Sequence, residues 1–135
     1  MKYLLNLLII ILLFFVFGCE KEKYKVHQDA VELSVDFAWK DKEGCGNANP
    51  EIDVSRIPGK TKFLYIEMRD LGHSRDHYTV LVPYEGDGTI TKQEYKEIIT
   101  PCPGMLGSNY EITIKAIDEN NIAIGIGSKK RNFPE

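Results

Sequence analysis

A carboxylate and two imidazoles lie close together in the middle of the chain, at Asp70, His73 and His77. Groups of these types at such short spacing could act as an acid–base pair, hold a metal ion or form an anion pocket. The alternative is that both histidines are solvated residues of a surface loop. The sequence has no Gly-x-Ser-x-Gly elbow, no His-Glu-x-x-His motif and no glycine-rich phosphate loop. We therefore expect no enzyme activity, and the spacing alone leaves the other roles of this cluster open.

A second segment, from Glu85 to Glu94, resembles the latter half of a calcium-binding EF-hand loop. The first ligand position of such a loop falls on Pro83, which has no side-chain oxygen. The preceding residues also have the pattern of a strand, where an EF-hand has a helix. We predict a glycine-rich turn here, with no bound metal ion and no cofactor.

Beyond Cys19, the sequence contains two cysteines, Cys45 and Cys102. In an oxidising compartment, they form a pair that a disulfide could join. Two separate buried thiols are the alternative. Because neither cysteine has a histidine at ligand spacing, we do not expect a structural zinc site.

The first eighteen residues have the pattern of a secretory signal peptide, with a positive end at Lys2 and an apolar run from Leu4 to Phe17. The residues Val16-Phe17-Gly18-Cys19 resemble the bacterial lipobox, whose cysteine is lipidated and becomes the mature N-terminus. An uncleaved membrane anchor is the alternative. We predict an extracytoplasmic protein, lipid-anchored to the bacterial membrane through acyl chains on Cys19. Glu20 is not the aspartate associated with inner-membrane retention, which favours an outer membrane where one exists.

The predicted organisation is a signal peptide over residues 1–18, a tether over residues 19–28 and one folded domain over residues 29–135. The tether is polar and charged, without an apolar period. The whole chain has 17 Lys and Arg against 20 Asp and Glu, a formal net charge of −3. This balance gives no basic face, so a nucleic-acid partner is not expected.

Short apolar–polar patterns of strand length run through the predicted domain. They cover Val31–Phe37, Thr61–Met68, His77–Val82, Tyr110–Ile117 and Ile122–Ile126. The second of these patterns is apolar on both faces, which is typical of a central strand.

One short helix is predicted near residues 92–99. Thr91 and Glu94 have the spacing of a capping box, and Tyr95, Ile98 and Ile99 follow at helical spacing. Several short strands with a single helix indicate a mostly β protein. We predict an antiparallel β-sandwich with Greek-key-like connections.

Six segments of the domain share motifs, in order, with a known family. They are Gly44–Pro50, Ile57–Lys62, Arg69–Asp70, His77–Val80, Pro101–Pro103 and Tyr110 with Ala116–Asp118. Together they resemble the phosphatidylethanolamine-binding proteins, also called Raf kinase inhibitor proteins, and especially their short bacterial members.

The resemblance implies an antiparallel β-sandwich with a small pocket for an anion such as phosphate or a phospholipid headgroup. The implied ligand-binding residues are Asp70, His77, Pro101, Cys102 and Pro103, and Ser108 falls where the family has a second histidine. A protonated histidine beside backbone N–H groups can hold a phosphate or a carboxylate.

Three functions are compatible with these observations. We expect a membrane-anchored, non-catalytic binding module with a small anion pocket, whose partners are the membrane and a small anionic ligand. The first alternative is an envelope interaction or inhibitor domain that keeps the sandwich, has lost the pocket and binds a protein partner. The second alternative is a weak hydrolase that uses His77 with Asp70.

Overall fold

In the computed structural model, residues 22–39, 49–72, 77–90, 94–98 and 108–133 are described, and they form two β-sheets. The strands are β1 (Val26–Glu32), β2 (Ser34–Ala38), β3 (Glu51–Ser55), β4 (Phe63–Asp70), β5 (His77–Pro83), β6 (Thr89–Ile90), β7 (Ser108–Ile117) and β8 (Ala123–Phe133). One sheet has the order β1-β8-β7-β4-β5, and the other has the order β2-β3-β6. All pairs are antiparallel except β1 with β8. The prediction of a mostly β, largely antiparallel two-sheet fold is confirmed.

The core lies between the two sheets because alternate residues of each strand point to the same face. The three-stranded sheet contributes Val35, Phe37, Ile52, Val54 and Ile90, and the five-stranded sheet contributes Leu64, Ile66, Met68, Val82, Ile112, Ile114 and Ala116. These side chains form one buried apolar cluster, and burying each large one stabilises the fold by about 1.5–3 kcal/mol. The cluster joins the two sheets into a single folding unit.

Strand β4 is an interior strand of the five-stranded sheet, between β7 and the edge strand β5, which agrees with its two apolar faces. It pairs with β7 along its whole length, from Phe63 opposite Ile117 to Asp70 opposite Tyr110, and with β5 on its other side. The predicted strands around residues 61–68, 77–82 and 110–117 are therefore confirmed. The last strand, β8, extends to Phe133 and is longer than the predicted Ile122–Ile126.

The sequence predicts a single strand over the alternating segment Val31–Phe37. The structure divides this segment between two strands, because the chain changes sheets at Leu33. The Leu33 N–H donates to the Ile126 carbonyl oxygen at 2.9 Å, and β2 then begins in the other sheet. This crossing is possible because β8 has glycines where it passes Leu33. A Cβ on Gly125 would lie 2.9 Å from Leu33 Cδ2, and one on Gly127 would overlap the Leu33 carbonyl oxygen. Alternation continues through the crossing, so the sequence pattern hides it.

The predicted helix near residues 92–99 is not found in the part of it that the structure describes, Glu94–Ile98, where the backbone forms turns. The buried Asn49 holds this segment instead. Its Oδ1 accepts a 2.7 Å hydrogen bond from the Tyr95 N–H, and its Nδ2 donates to the Pro50 carbonyl oxygen at 2.7 Å. Ile98 is fully buried in the core, which explains the apolar spacing that predicted a helix.

The folded part of the chain begins earlier than predicted, because Tyr24 is buried and β1 begins inside the proposed tether of residues 19–28. Tyr24 is buried against Tyr65, with ring centroids 5.0 Å apart, and β1 begins at Val26. The tether therefore does not extend to Gln28, whose backbone belongs to β1. Among the described residues, no helix has the length and hydropathy to cross a membrane.

The turn from β7 to β8 is organised by one carboxylate, that of Asp118. Its Oδ1 accepts hydrogen bonds from the N–H groups of Asn120 and Ile122, both at 2.9 Å. Asn121 has a φ of 60°, a left-handed conformation that asparagine tolerates. The hydrogen bond from the Ile122 N–H is the largest cause that holds the pKa of Asp118 below its ordinary value, and desolvation opposes it.

A lowered pKa in the folded state makes the carboxylate stabilising at neutral pH, and this contribution is lost as pH falls below about 4 through the depressed pKa. We therefore expect Asp118→Asn to destabilise the protein at pH 7 and to have a smaller effect at pH 3. Urea unfolding at both pH values measures the difference. Glu119→Gln, which removes a charge from the same turn, is the control, and an effect of Asp118→Asn that does not change with pH would contradict the prediction.

Candidate functional site

Asp70 and His77, the two predicted pocket residues that the structure describes fully, point to opposite faces of the five-stranded sheet. Asp70 is the last residue of β4, lies opposite Tyr110 and is only 2% exposed, on the side of the core. Its Oδ1 accepts a 2.8 Å hydrogen bond from the Gly72 N–H. His77 pairs with Arg69, the neighbour of Asp70 on β4. Because successive strand residues alternate between faces, Asp70 and His77 do not share a face of the sheet, and an anion pocket that uses them stays a prediction.

The other predicted site residues give less structural information. Cys19, Cys45, His73 and the turn Pro101–Cys102–Pro103 lie outside the described residues, so the lipidation site, the disulfide and the proline turn stay predictions. Ser108 begins β7, where its backbone pairs with Phe133. Among the residues that the structure describes, no group of His, Cys, Asp and Glu could hold a metal ion.

The EF-hand-like segment contributes to the smaller sheet. The Asp87 Oδ1 accepts a 2.9 Å hydrogen bond from the Thr89 N–H, and the Thr89 hydroxyl lies 3.1 Å from Asp53 Oδ1. Thr89 and Ile90 then form β6, which pairs with β3. These contacts are those of a turn that enters a strand.

A groove of about 450 Å³ lies on the face of the five-stranded sheet that points away from the core. We call it the outer groove. Its charged residues from the sheet are Glu67, Arg69, Glu111 and Lys115, and the His77 imidazole lies among them. Glu22 and Lys23, which precede β1, line the same groove. The outer groove is therefore built from the four neighbouring strands β5, β4, β7 and β8 and from the start of the described chain.

Most charges of the outer groove are paired within the sheet. The Arg69 Nε donates a 2.7 Å hydrogen bond to Glu67 Oε1, and the His77 Nε2 lies 3.2 Å from the same oxygen. Glu111 lies 3.8 Å from Lys130 on the neighbouring strand β8. The Glu67 carboxylate thus lies between the nitrogens of Arg69 and His77. The groove contains nearly equal numbers of positive and negative charges.

Lys115 differs from the other charged residues of the groove because its side chain is only 6% exposed. It lies on β7, directly opposite Tyr65 of β4. It contacts Glu22, whose Oε1 lies 3.3 Å from the Lys115 Nζ. The Glu22 side chain is 68% exposed, and it reaches the groove from the chain before β1. A buried ammonium thus depends on an exposed carboxylate from outside the sheet.

Sequence reasoning did not select Lys115 as a functional residue. The alternation of Tyr110–Ile117 does place it on the face opposite the core, together with Glu111 and Thr113. Such a face is ordinarily solvated, and a lysine there attracts no attention. The missing information was that Tyr65 stands beside it and that residues 22–23 cover this end of the sheet.

No protein-family model matches the chain, and the comparison with curated proteins finds no match either. The resemblance to the phosphatidylethanolamine-binding proteins therefore stays a prediction. Two of the residues on which its pocket depends, Asp70 and His77, do not share a face of the sheet. The arrangement that the structure does assemble is the outer groove, with its buried ammonium at Lys115.

Proposed function

We propose that the protein is a non-catalytic binding module that holds a small anionic group, a phosphate or a carboxylate, in the outer groove. The observation that carries this proposal is the 6% exposed Lys115 ammonium, which is paired with a carboxylate from outside the sheet. The proposal keeps the anion-binding role expected from the sequence and moves it to the opposite face of the sheet from Asp70.

A buried ammonium requires an anionic partner, because removing a charge from water without one is costly. On the outer face, the carboxylate of Glu67 already contacts Arg69 and His77, and Glu111 lies near Lys130. Lys115 differs from these residues because its partner lies outside the sheet. This partner can leave without breaking a contact between residues of the sheet. An external phosphate or carboxylate can replace Glu22 and form charge-assisted hydrogen bonds with the Lys115 Nζ.

The surroundings of Lys115 set the size and character of the ligand. The Tyr65 ring and Ile126 provide an apolar part of the groove lining, whereas Thr79 and Thr113 provide hydroxyl groups. A volume of about 450 Å³ suits a small molecule or a headgroup. The groove is open along the sheet, so a ligand attached to a larger body can also enter.

The proposed lipid anchor bears on the source of the ligand. Cys19 precedes Glu22 by three residues, which span at most about 10 Å of extended chain. If Cys19 is lipidated, the outer groove lies close to the bilayer surface. A phospholipid headgroup and a free phosphate present the same chemistry to Lys115, and binding measurements distinguish them.

We expect Lys115→Met to weaken binding of inorganic phosphate by about tenfold or more, because a hydrogen bond to a charged group contributes about 1.5–3 kcal/mol. Methionine retains a long unbranched side chain, so the fold should persist. Titrations of the full chain in detergent, followed by NMR chemical shifts, measure the dissociation constant. The same titration with glycerophosphoethanolamine separates the two sources, because tighter binding of this soluble analogue favours a headgroup.

Lys96→Met is the matched control, since Lys96 is exposed in the Glu94–Ile98 turn and does not line the outer groove. Its phosphate affinity should equal that of the unaltered protein. Equal affinities of the Lys115 and Lys96 variants would show that the Lys115 ammonium does not hold the anion.

A protein-interaction domain is the second candidate, and the pattern of charges on the outer face favours it. Glu67, Arg69, Glu111 and Lys130 alternate in sign across three neighbouring strands, which suits a complementary protein surface. A stoichiometric partner recovered from solubilised membranes by the full chain, and lost on charge reversal at Arg69, would support this function over anion binding.

A further inference from the structure

The start of the described chain is attached to the sheet in two different ways. From Tyr24 onward the attachment is part of the fold, because the Tyr24 ring packs against Tyr65 and the Lys25 carbonyl oxygen accepts a 3.0 Å hydrogen bond from the Ala123 N–H. Before Tyr24, Glu22 and Lys23 contact the groove through their side chains. The Lys23 Nζ lies 5.3 Å from the centre of the Tyr65 ring. We call Glu22 and Lys23 the N-terminal strap.

Breaking the contact between the strap and Lys115 has a small energetic cost for Glu22 and a large one for Lys115. Glu22 is 68% exposed and its carboxylate lies 3.3 Å from the Lys115 Nζ, so its release into water costs little. Lys115 is 6% exposed, so losing its anion without replacement is unfavourable. These two facts together favour exchange of one anion for another over simple opening of the strap.

We propose that Glu22 is an intramolecular competitor that occupies the Lys115 anion site until a ligand displaces it. This inference rests on the proposed function of the outer groove. Because Glu22 is joined to the groove by a short chain, its local concentration is high whatever the concentration of free ligand. The apparent affinity for an external anion is then reduced by the fraction of molecules whose strap is open.

The test is phosphate binding by the full chain in detergent, with and without the strap carboxylate. Glu22→Gln removes the competitor while keeping the size of the side chain, and we expect it to tighten phosphate binding by about three- to tenfold. Glu32→Gln is the matched control, because Glu32 is an exposed carboxylate of β1 that does not line the groove. It changes the net charge equally and should leave the affinity unchanged.

A second measurement reports on the strap itself. Saturating phosphate should shift the backbone amide signals of Lys23 and Tyr24 in the unaltered protein, and less so in the Glu22→Gln variant, whose strap is already released. A general electrostatic effect of the substitution would not produce this difference.

The outcomes separate the two proposals. If phosphate binds through Lys115 with the same affinity in the unaltered and Glu22→Gln proteins, the groove is an anion site and the competitor role of Glu22 is wrong. If the Glu32 and Glu22 variants tighten binding equally, the effect is one of net charge and the competitor role is also wrong. If neither the unaltered protein nor Glu22→Gln binds phosphate, both the proposed function and the strap inference fail.

Discussion

Gly127→Ala is expected to lower the free energy of unfolding by about 2–3 kcal/mol, because the added methyl group overpacks a site filled by backbone. A Cβ at this position would overlap the Leu33 carbonyl oxygen and would lie 2.9 Å from Leu33 Cβ. Leu33 cannot move away freely, since its N–H is bonded to Ile126 and its side chain is buried. Urea unfolding followed by the fluorescence of Trp39, the single tryptophan, measures the loss.

Gly59→Ala is the control for this substitution. No atom lies within 4 Å of a Cβ built on Gly59, so the added methyl group meets open space. Its effect on the free energy of unfolding should be neutral or slightly stabilising, by up to about 1 kcal/mol, because alanine restricts the unfolded chain. If Gly127→Ala were as stable as Gly59→Ala, the chain between β1 and β2 would not pass as close to β8 as described.

Trp39→Ala is expected to destabilise the protein by about 3–5 kcal/mol, the range for removing a large buried aromatic side chain. The Trp39 ring makes edge contacts with three aromatic rings, those of Phe37, Tyr110 and Phe133, at centroid distances of 5.3, 5.5 and 5.8 Å. These rings belong to both sheets, so the substitution weakens the contact between them. Thermal unfolding followed by circular dichroism measures the effect without the tryptophan signal.

Trp39→Phe should cost much less, about 1 kcal/mol or below, although it also removes buried surface. Within the described part of the chain, the Trp39 Nε1 has no hydrogen-bond partner, and a buried donor without one costs about 1–3 kcal/mol. Phenylalanine keeps an aromatic ring among Phe37, Tyr110 and Phe133 and removes that donor. Equal losses of stability in Trp39→Phe and Trp39→Ala would show that the indole N–H has a hydrogen-bond partner or that the core requires the full size of the indole ring.

The strands whose apolar residues follow a regular pattern were predictable from the sequence. The very short strands and the point where the chain changes sheets were not. Strands β4, β5 and β7 bury one face or both, so their apolar residues reveal them. Strand β3 has only five residues and β6 only two, and turn-forming residues flank both. The sequence pattern does not reveal the break at Leu33, because an apolar residue at that position fits both a continuous strand and the crossing between sheets.

The site was less predictable than the fold because it depends on which face a side chain occupies. Asp70 and His77 are close in sequence, and their spacing does not show that His77 pairs with Arg69 rather than with Asp70. Only the register of β4 with β5 settles this question. Lys115 acquires its burial from Tyr65 and the strap, neither of which is near it in sequence.

The parallel pairing of β1 with β8 joins the first strand to the last, with Val26 opposite Ala123 and Glu32 opposite Ile126. Contacts between residues so far apart in sequence form late in folding, because the intervening chain must first be ordered. During synthesis the N-terminal residues appear first, yet β1 has no edge to join until β8 has been made and paired with β7. We therefore expect the pairing of β1 with β8 to be among the last steps of folding, so that Lys115 on β7 gains the cover of Glu22 late.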